Sequence, residues 1–160
     1  MQVLVHDGEP RRTGRQPELC WVRVVGAEPG GSRGLIHNPE GGLSEAELEA
    51  RYCGRHVFLG RLLNAPHQLE SVKQGDEIRF LTCTGAEQPL MVTRAYLEER
   101  ESWWVMPCEK CGLAECLDPP SVMGRLRFPD SPPDAEVMSF TAFCPVCGGM
   151  QLLSRDPSGS

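Results

Sequence analysis

No part of this 160-residue chain stays apolar for long. Its hydrophobic stretches are broken by charge within about ten residues, well short of the roughly twenty that a membrane-spanning helix needs. The start, Met1-Gln2-Val3-Leu4-Val5-His6-Asp7, lacks the basic opening and the apolar core of an export signal, so the cytoplasm is the expected location. Positive charge is also scarce. Lys and Arg number 16 against 22 Asp and Glu, a formal net charge of -6. Phosphate backbones are therefore repelled overall, and nucleic-acid binding would require a local basic patch. Arg11, Arg12 and Arg15, in a loose segment, are one candidate.

What the chain has in quantity is glycine, proline and cysteine. The 17 glycines and 14 prolines point to many short strands and turns, and the 40% hydrophobic share supports a core of modest size. An α+β, mostly β architecture follows: a small, partly open β-barrel-like domain with one short helix, then a smaller metal-held module. Residues 1–18 read as an N-terminal arm in which Val3 to Val5 can add an edge strand, and 19–105 as the β-rich domain. Residues 106–155 read as a zinc ribbon, and 156–160 as a frayed tail.

Strands are expected over Cys20–Val25, His56–Leu63, Glu77–Cys83 and Trp103–Met106. Ser44-Glu45-Ala46-Glu47 fits a capping box opening a helix of about two turns. Leu90–Leu97 is open between strand and helix: Val92, Thr93 and Tyr96 favour the first, and Ala95 to Glu101 the second. Between the cysteine pairs, Val122–Phe128 alternates like a strand and Glu136–Phe143 returns as another, which makes a hairpin between two knuckles. Met150–Leu153 follows as a further strand.

Four of the eight cysteines carry the chemistry. Cys108-Glu109-Lys110-Cys111-Gly112 and Cys144-Pro145-Val146-Cys147-Gly148 each space two thiols by two residues, and the following glycine lets the backbone fold beneath a metal with its N–H groups toward sulfur. Two such pairs complete a tetrahedral set, so one structural zinc is expected on Cys108, Cys111, Cys144 and Cys147. Zinc suits four soft thiolates, and nothing signals the electron-transfer chemistry of iron. A four-thiolate shell has no open position at which to activate water. Its four charges against one divalent ion leave a surplus of about two negative charges.

The rival readings of the cysteines are weaker. A redox dithiol at Cys108–Cys111 would leave the duplicated knuckle unexplained. Cys116 lacks the spacing and the glycine of a ligand. Cys20, Cys53 and Cys83 read as small buried hydrophobes. Catalysis would require a cluster among Cys53, His56, His37 and His67, and no motif groups them, so an enzyme ranks below a binding protein. Asp76, after Gly75, should accept backbone hydrogen bonds in its turn. Trp103 and Trp104 cannot enter the same core from one strand. One should pack inside; the other should cover the ribbon or sit on the surface as a candidate partner-binding anchor, with a domain–domain seam as the alternative.

Trp21-Val22-Arg23-Val24, the turn Asn64-Ala65-Pro66 and Lys73-Gln74-Gly75-Asp76-Glu77-Ile78-Arg79-Phe80 together resemble a small bacterial β-rich domain family of unknown function. Its members carry an opening Trp-Val-x-Val strand, an Asn-x-Pro turn and a Lys-x-Gly-Asp strand entry. The resemblance covers residues 19 to 85. It implies a cytoplasmic domain, in some members near toxin–immunity loci, and brings no catalytic set. This chain departs by inserting the segment from Gly41 to Tyr52 and appending the cysteine module, which itself resembles the broad zinc-ribbon class. The expected function is non-catalytic: a structural-zinc accessory or immunity-like protein that binds another protein. The alternative is a nucleic-acid-associated ribbon protein using Arg125 and Arg127 on one strand face, joined by Lys110 and Arg155. Oligomeric state is left open.

Overall fold

A computed structural model describes residues 1–29, 56–83, 85–132 and 134–155. The capping-box helix, the Gly41–Tyr52 insertion, His37, Cys53 and the tail 156–160 lie outside them. The elements in chain order are β1 (Gln2–Val5), α1 (Pro10–Thr13), β2 (Glu18–Pro29), β3 (His56–Leu62), β4 (Glu77–Leu81) and β5 (Leu90–Val92). They continue with α2 (Arg94–Glu99), a 3-10 turn (Arg100–Ser102), β6 (Trp103–Val105), α3 (Pro120–Arg127), β7 (Ser139–Phe143) and β8 (Met150–Arg155). Among the described residues no helix is long and apolar enough to cross a membrane.

β1 to β5 form a closed barrel, not the partly open one expected. The closing strand is β1. It pairs antiparallel with β2 and, through Leu4 against Leu90, parallel with β5. The stretch read as an edge strand thus has neighbours on both sides, and Leu4 N–H donates to the Pro89 carbonyl at 2.9 Å. Val3 and Val5 are buried with Val22, Leu62, Ile78 and Phe80, and Leu69 and Val72 from the β3–β4 loop join the same core. Alternation along β1 and β4 is what a half-buried strand requires. A register shift between Val24 and Gly26 lets the long β2 bend around the barrel.

Polar side chains fix the β3–β4 loop. Asn64 Oδ1 accepts from Trp21 N–H at 2.7 Å, and the Glu18 carboxylate accepts from the amides of His67, Gln68 and Leu69. Asp76 Oδ2 accepts from Lys73 N–H at 2.9 Å, the turn role expected of it. Asp7 accepts from the amides of Glu70 and Ser71, the Ser71 hydroxyl and the Arg15 guanidinium. Desolvation opposes its ionisation, but these donors outweigh it and hold its pKa at about 2.

The N-terminal segment is not the loose basic arm anticipated. Arg11 N–H and guanidinium meet Asp118, Arg12 pairs with Glu9, and Arg15 pairs with Asp7, so the three arginines are matched by carboxylates. His6 is buried without charge. Its Nδ1 accepts from Gly8 N–H and its Nε2 donates to the Met91 carbonyl at 2.8 Å, while burial lowers its pKa.

The second sheet has the order β6-β8-β7. Val122–Arg127 is helical, which overturns the expected hairpin between the knuckles; the hairpin is β7–β8, and the second knuckle is its turn. Prolines explain the helix. Pro120 occupies the first turn, where a missing N–H costs nothing, and Glu99 accepts from Ser121 N–H and hydroxyl, capping the end from another element. Leu90–Leu97 divides between both expectations: β5 stops at Val92, and Thr93 caps α2 by accepting from Tyr96 N–H.

Barrel and sheet share a core. Val57, Leu81 and Val92 from the barrel pack with Tyr96, Trp103, Met123, Phe140 and Leu153. Trp103 is 7% exposed at this seam, edge-on to Phe140, whereas Trp104 is 56% exposed, the split expected of adjacent strand residues.

Two predictions follow from this packing. At Gly60 in β3 a Cβ would lie 2.2 Å from Val22 Cγ1 and 2.8 Å from Phe80 Cε1. Gly60→Ala should therefore cost about 1–3 kcal/mol of stability by overpacking, measured from denaturant midpoints. Burial raises the Asp118 pKa to about 6 despite Arg11. The folded chain thus binds more protons here than the unfolded chain between about pH 4 and 6, and this group's contribution to stability grows as pH falls through that window. Asp118→Asn should match or exceed the parent at pH 7 and lose ground to it at pH 4 in paired denaturation curves.

Candidate metal centre

Both knuckles fold by the same local rule. In the first, Gly112 N–H donates to the Cys108 carbonyl and Cys108 N–H to the Leu113 carbonyl, each at 2.9 Å. In the second, Gly148 N–H donates to the Cys144 carbonyl at 3.0 Å and Cys144 N–H to the Gly149 carbonyl at 2.6 Å. The chain turns through Gly112 at φ 81° and Gly148 at φ 77°, the left-handed region that glycine enters without a Cβ penalty. β6 delivers the first knuckle and the β7–β8 turn delivers the second, and Glu109 N–H donates to the Met150 carbonyl to tie them together.

This places four sulfurs within 4.8 Å of one another. Cys108 Sγ lies 3.4 Å from Cys147 Sγ, and Cys111 Sγ 3.6 Å from Cys144 Sγ. Those contacts are too long for disulfides, and no disulfide is present among the described cysteines. They suit thiolates around one ion, whose sulfurs stand roughly 3.8 Å apart when metal–sulfur bonds are about 2.3 Å. Lys110 N–H points at Cys108 Sγ and Gly149 N–H at Cys147 Sγ, at 3.4 and 3.3 Å. The cluster can chelate a metal ion.

The thiols differ in their readiness to ionise. Backbone amides, that of Cys111 foremost, bring Cys108 down to about 6, against desolvation. Desolvation pushes Cys111 up to about 12 and raises Cys144. Four adjacent thiolates repel one another without a cation between them, so ion binding must expel protons.

The barrel backs the cluster. Cys108 and Cys144 are buried with Leu90, Leu113 and Leu117, and the β4–β5 turn lies so close that a Cβ on Gly85 would sit 2.6 Å from the Cys111 carbonyl oxygen. Cys147 is exposed.

Beneath the first knuckle runs a buried loop, Leu113–Pro119, stitched by a polar network that sequence reasoning missed. Glu115 accepts from Arg100 Nη1 at 2.9 Å and from the Tyr96 hydroxyl. Tyr96 in turn accepts from Cys116 N–H, and Gln151 Nε2 donates to the carbonyls of Leu113 and Glu115. Burial and the Glu115 charge push the Tyr96 pKa well up, which keeps its proton for Glu115. The available signal was a glutamate set between Leu113 and Leu117 in a segment with no helical or strand period.

The remaining candidates fall as follows. Cys116 is buried but outside the four-sulfur cluster, Cys20 is buried and Cys83 half-buried. His67 sits in the β3–β4 loop, where its amide meets Glu18; the His56 backbone pairs with Pro29 in the barrel. Arg125 and Arg127 are exposed on α3, where residues two apart diverge by about 200°, so they do not share the face that a strand would have given them. Arg155 pairs with Glu136 at 3.5 Å.

Fold and site define a closed five-stranded barrel joined to a sheet that carries a four-cysteine, metal-competent centre. Compared with known proteins, the chain matches no family model, no curated protein and no solved structure.

A Cβ on Gly149 would stand 2.6 Å from Cys108 Sγ and 3.1 Å from Lys110 Cβ. Gly149→Ala should displace that sulfur and weaken ion binding by about tenfold or more, measured by competition with a chelating dye.

Proposed function

We propose that this is a non-catalytic protein whose single structural zinc, on Cys108, Cys111, Cys144 and Cys147, holds a ribbon-like module over residues 106–155 for docking to another protein. The observation that carries the reading is the convergence of four sulfurs from two like-folded knuckles. Four protein ligands fill a tetrahedral shell, and such an ion contributes roughly 10 kcal/mol or more to the fold it closes while having no position for substrate.

The docking half of the proposal draws on the outer face of the second sheet. Trp104, Met106, Phe143, Met150 and Leu152 are all more than 40% exposed. Apolar residues gathered on one sheet face are a common feature of interaction surfaces. The accessory or immunity-like role in a bacterial cytoplasm extends the resemblance of residues 19 to 85, whose Asn64 and Asp76 make the turn contacts such a motif would need. Association with nucleic acid ranks second, because Arg11, Arg12 and Arg15 are matched by carboxylates and Arg125 and Arg127 diverge around a helix.

Elemental analysis of unoxidised, tag-free protein should find one zinc per chain. Cys144→Ser should release it and collapse the near-ultraviolet dichroism of Trp103 and its neighbours. Affinity capture from the native cell should recover a protein whose binding is lost with chelator. Iron with visible absorption in place of zinc would sink the metal assignment; recovered nucleic acid would reverse the order of the two readings.

A further inference from the structure

One side of β7 is a sheet edge with no strand on it, beside an apolar groove. The order β6-β8-β7 leaves β7 with a strand on one side alone. Arg155 N–H donates to the Met138 carbonyl and Cys144 N–H to the Gly149 carbonyl, so the even-numbered residues from 138 to 144 turn their peptide groups toward β8. By the alternation of an antiparallel ladder, Ser139, Thr141 and Phe143 present theirs outward. The Phe143 carbonyl confirms that direction, since the Arg11 guanidinium reaches it from outside the sheet. Among the described residues the peptide group of Thr141 meets nothing on that side. Sheet edges are normally blunted by lysine, proline or a bulge, and Ser139–Phe143 contains none of these.

Alongside this edge lies a groove of about 590 Å³ between α3 and the β7–β8 hairpin. Leu126, Phe143 and Met150 line it and are 45%, 64% and 41% exposed. Among the described residues its charged lining groups are the guanidinium groups of Arg11 and Arg127 alone. Arg11 is matched by Asp118, whereas Arg127 is exposed and has the Phe128 ring at 5.4 Å as its neighbour, with no carboxylate paired to it among the described residues. A second copy pairing β7 to β7 would bring like guanidinium groups together along the shared edge, whereas an acidic ligand would meet Arg127 with opposite charge.

We propose that the groove along β7 receives an extended segment of a partner protein as a fourth strand, with apolar side chains entering the groove and aspartate or glutamate meeting Arg127. The inference rests on the docking role proposed above and gives it a place and a chemistry. Backbone pairing at the edge would supply affinity for any extended segment, and the groove with its guanidinium groups would supply the choice among them.

The test pans a displayed library of random linear peptides against the zinc-loaded full chain. Enriched sequences should alternate apolar and acidic residues. A synthetic copy of the leading one, measured by fluorescence anisotropy, should lose at least about tenfold in affinity with Arg127→Glu. Thr141→Pro should abolish binding, because it removes the outward N–H while the bonds to β8 remain. Both variants should retain one zinc per chain and the parent's circular dichroism. If peptides enrich but depend on Trp104 and ignore Thr141 and Arg127, docking occurs elsewhere on the sheet; this inference fails and the docking role survives. If no peptide enriches, or if the groove instead drives dimerisation that Arg127→Glu abolishes, the proposed occupant is wrong.

Discussion

The packing of the C-terminal half depends on four sulfur atoms drawn from separate strand ends into a volume a few ångströms across. Bare thiols have little reason to gather so: desolvation raises Cys111 and Cys144, and ionising more than one would set like charges in contact. What positions them is backbone geometry. Each knuckle closes on its own carbonyl through a glycine, and the Glu109–Met150 bond sets one knuckle against the other. The arrangement is thus prepared by peptide hydrogen bonds, and an ion bound there would add stability to it.

The consequences extend into the barrel. Leu90 of β5 lies against Cys108 and Cys144, the Gly85 turn lies against the Cys111 carbonyl, and Trp103 carries the sheet core into Val57, Leu81 and Val92. A closed barrel of five strands has a small interior, and here part of its outer surface is buried by the second sheet. The burial of Glu115 with Arg100 fits the same scheme. A buried ion pair is weak as a source of net stability, but together with Tyr96 and Gln151 it fixes the course of a loop that has no secondary structure to do so.

Local spacing was legible in the sequence; distant pairing was not. The two Cys-x-x-Cys-Gly motifs named all four sulfurs that converge, because both the ligand spacing and the glycine act within six residues. The strands near Cys20, His56, Glu77 and Trp103 were likewise readable from their apolar residues and turns, and the opposite fates of Trp103 and Trp104 from the alternation of a strand. Barrel closure was not, since it depends on one parallel contact between Leu4 and Leu90. Val122–Phe128 misled because its alternation of large and polar residues also fits one short helix turned toward Phe140, which Pro119-Pro120 starts. Arg11, Arg12 and Arg15 looked like a cationic patch because Asp118 lies more than a hundred residues from Arg11.

Burial of polar groups divides the molecule into a part that is finished and a part that is not. Asp7, Glu18, Glu115 and Asp118 each meet several donors or a cation, and His6 has both nitrogens bonded, so the N-terminal segment, the β3–β4 loop and the Leu113–Pro119 loop are closed systems. Along β7 the accounting changes: peptide groups face outward, Phe143 stands in solvent, and Arg127 has an aromatic ring where a carboxylate would satisfy it. Next to these closed systems one strand is left incomplete beside the metal-competent turn. An ion bound there would hold the far end of that strand, where Cys144 directly follows Phe143, so rigidity at the centre would be transmitted to the open edge with no intervening residue.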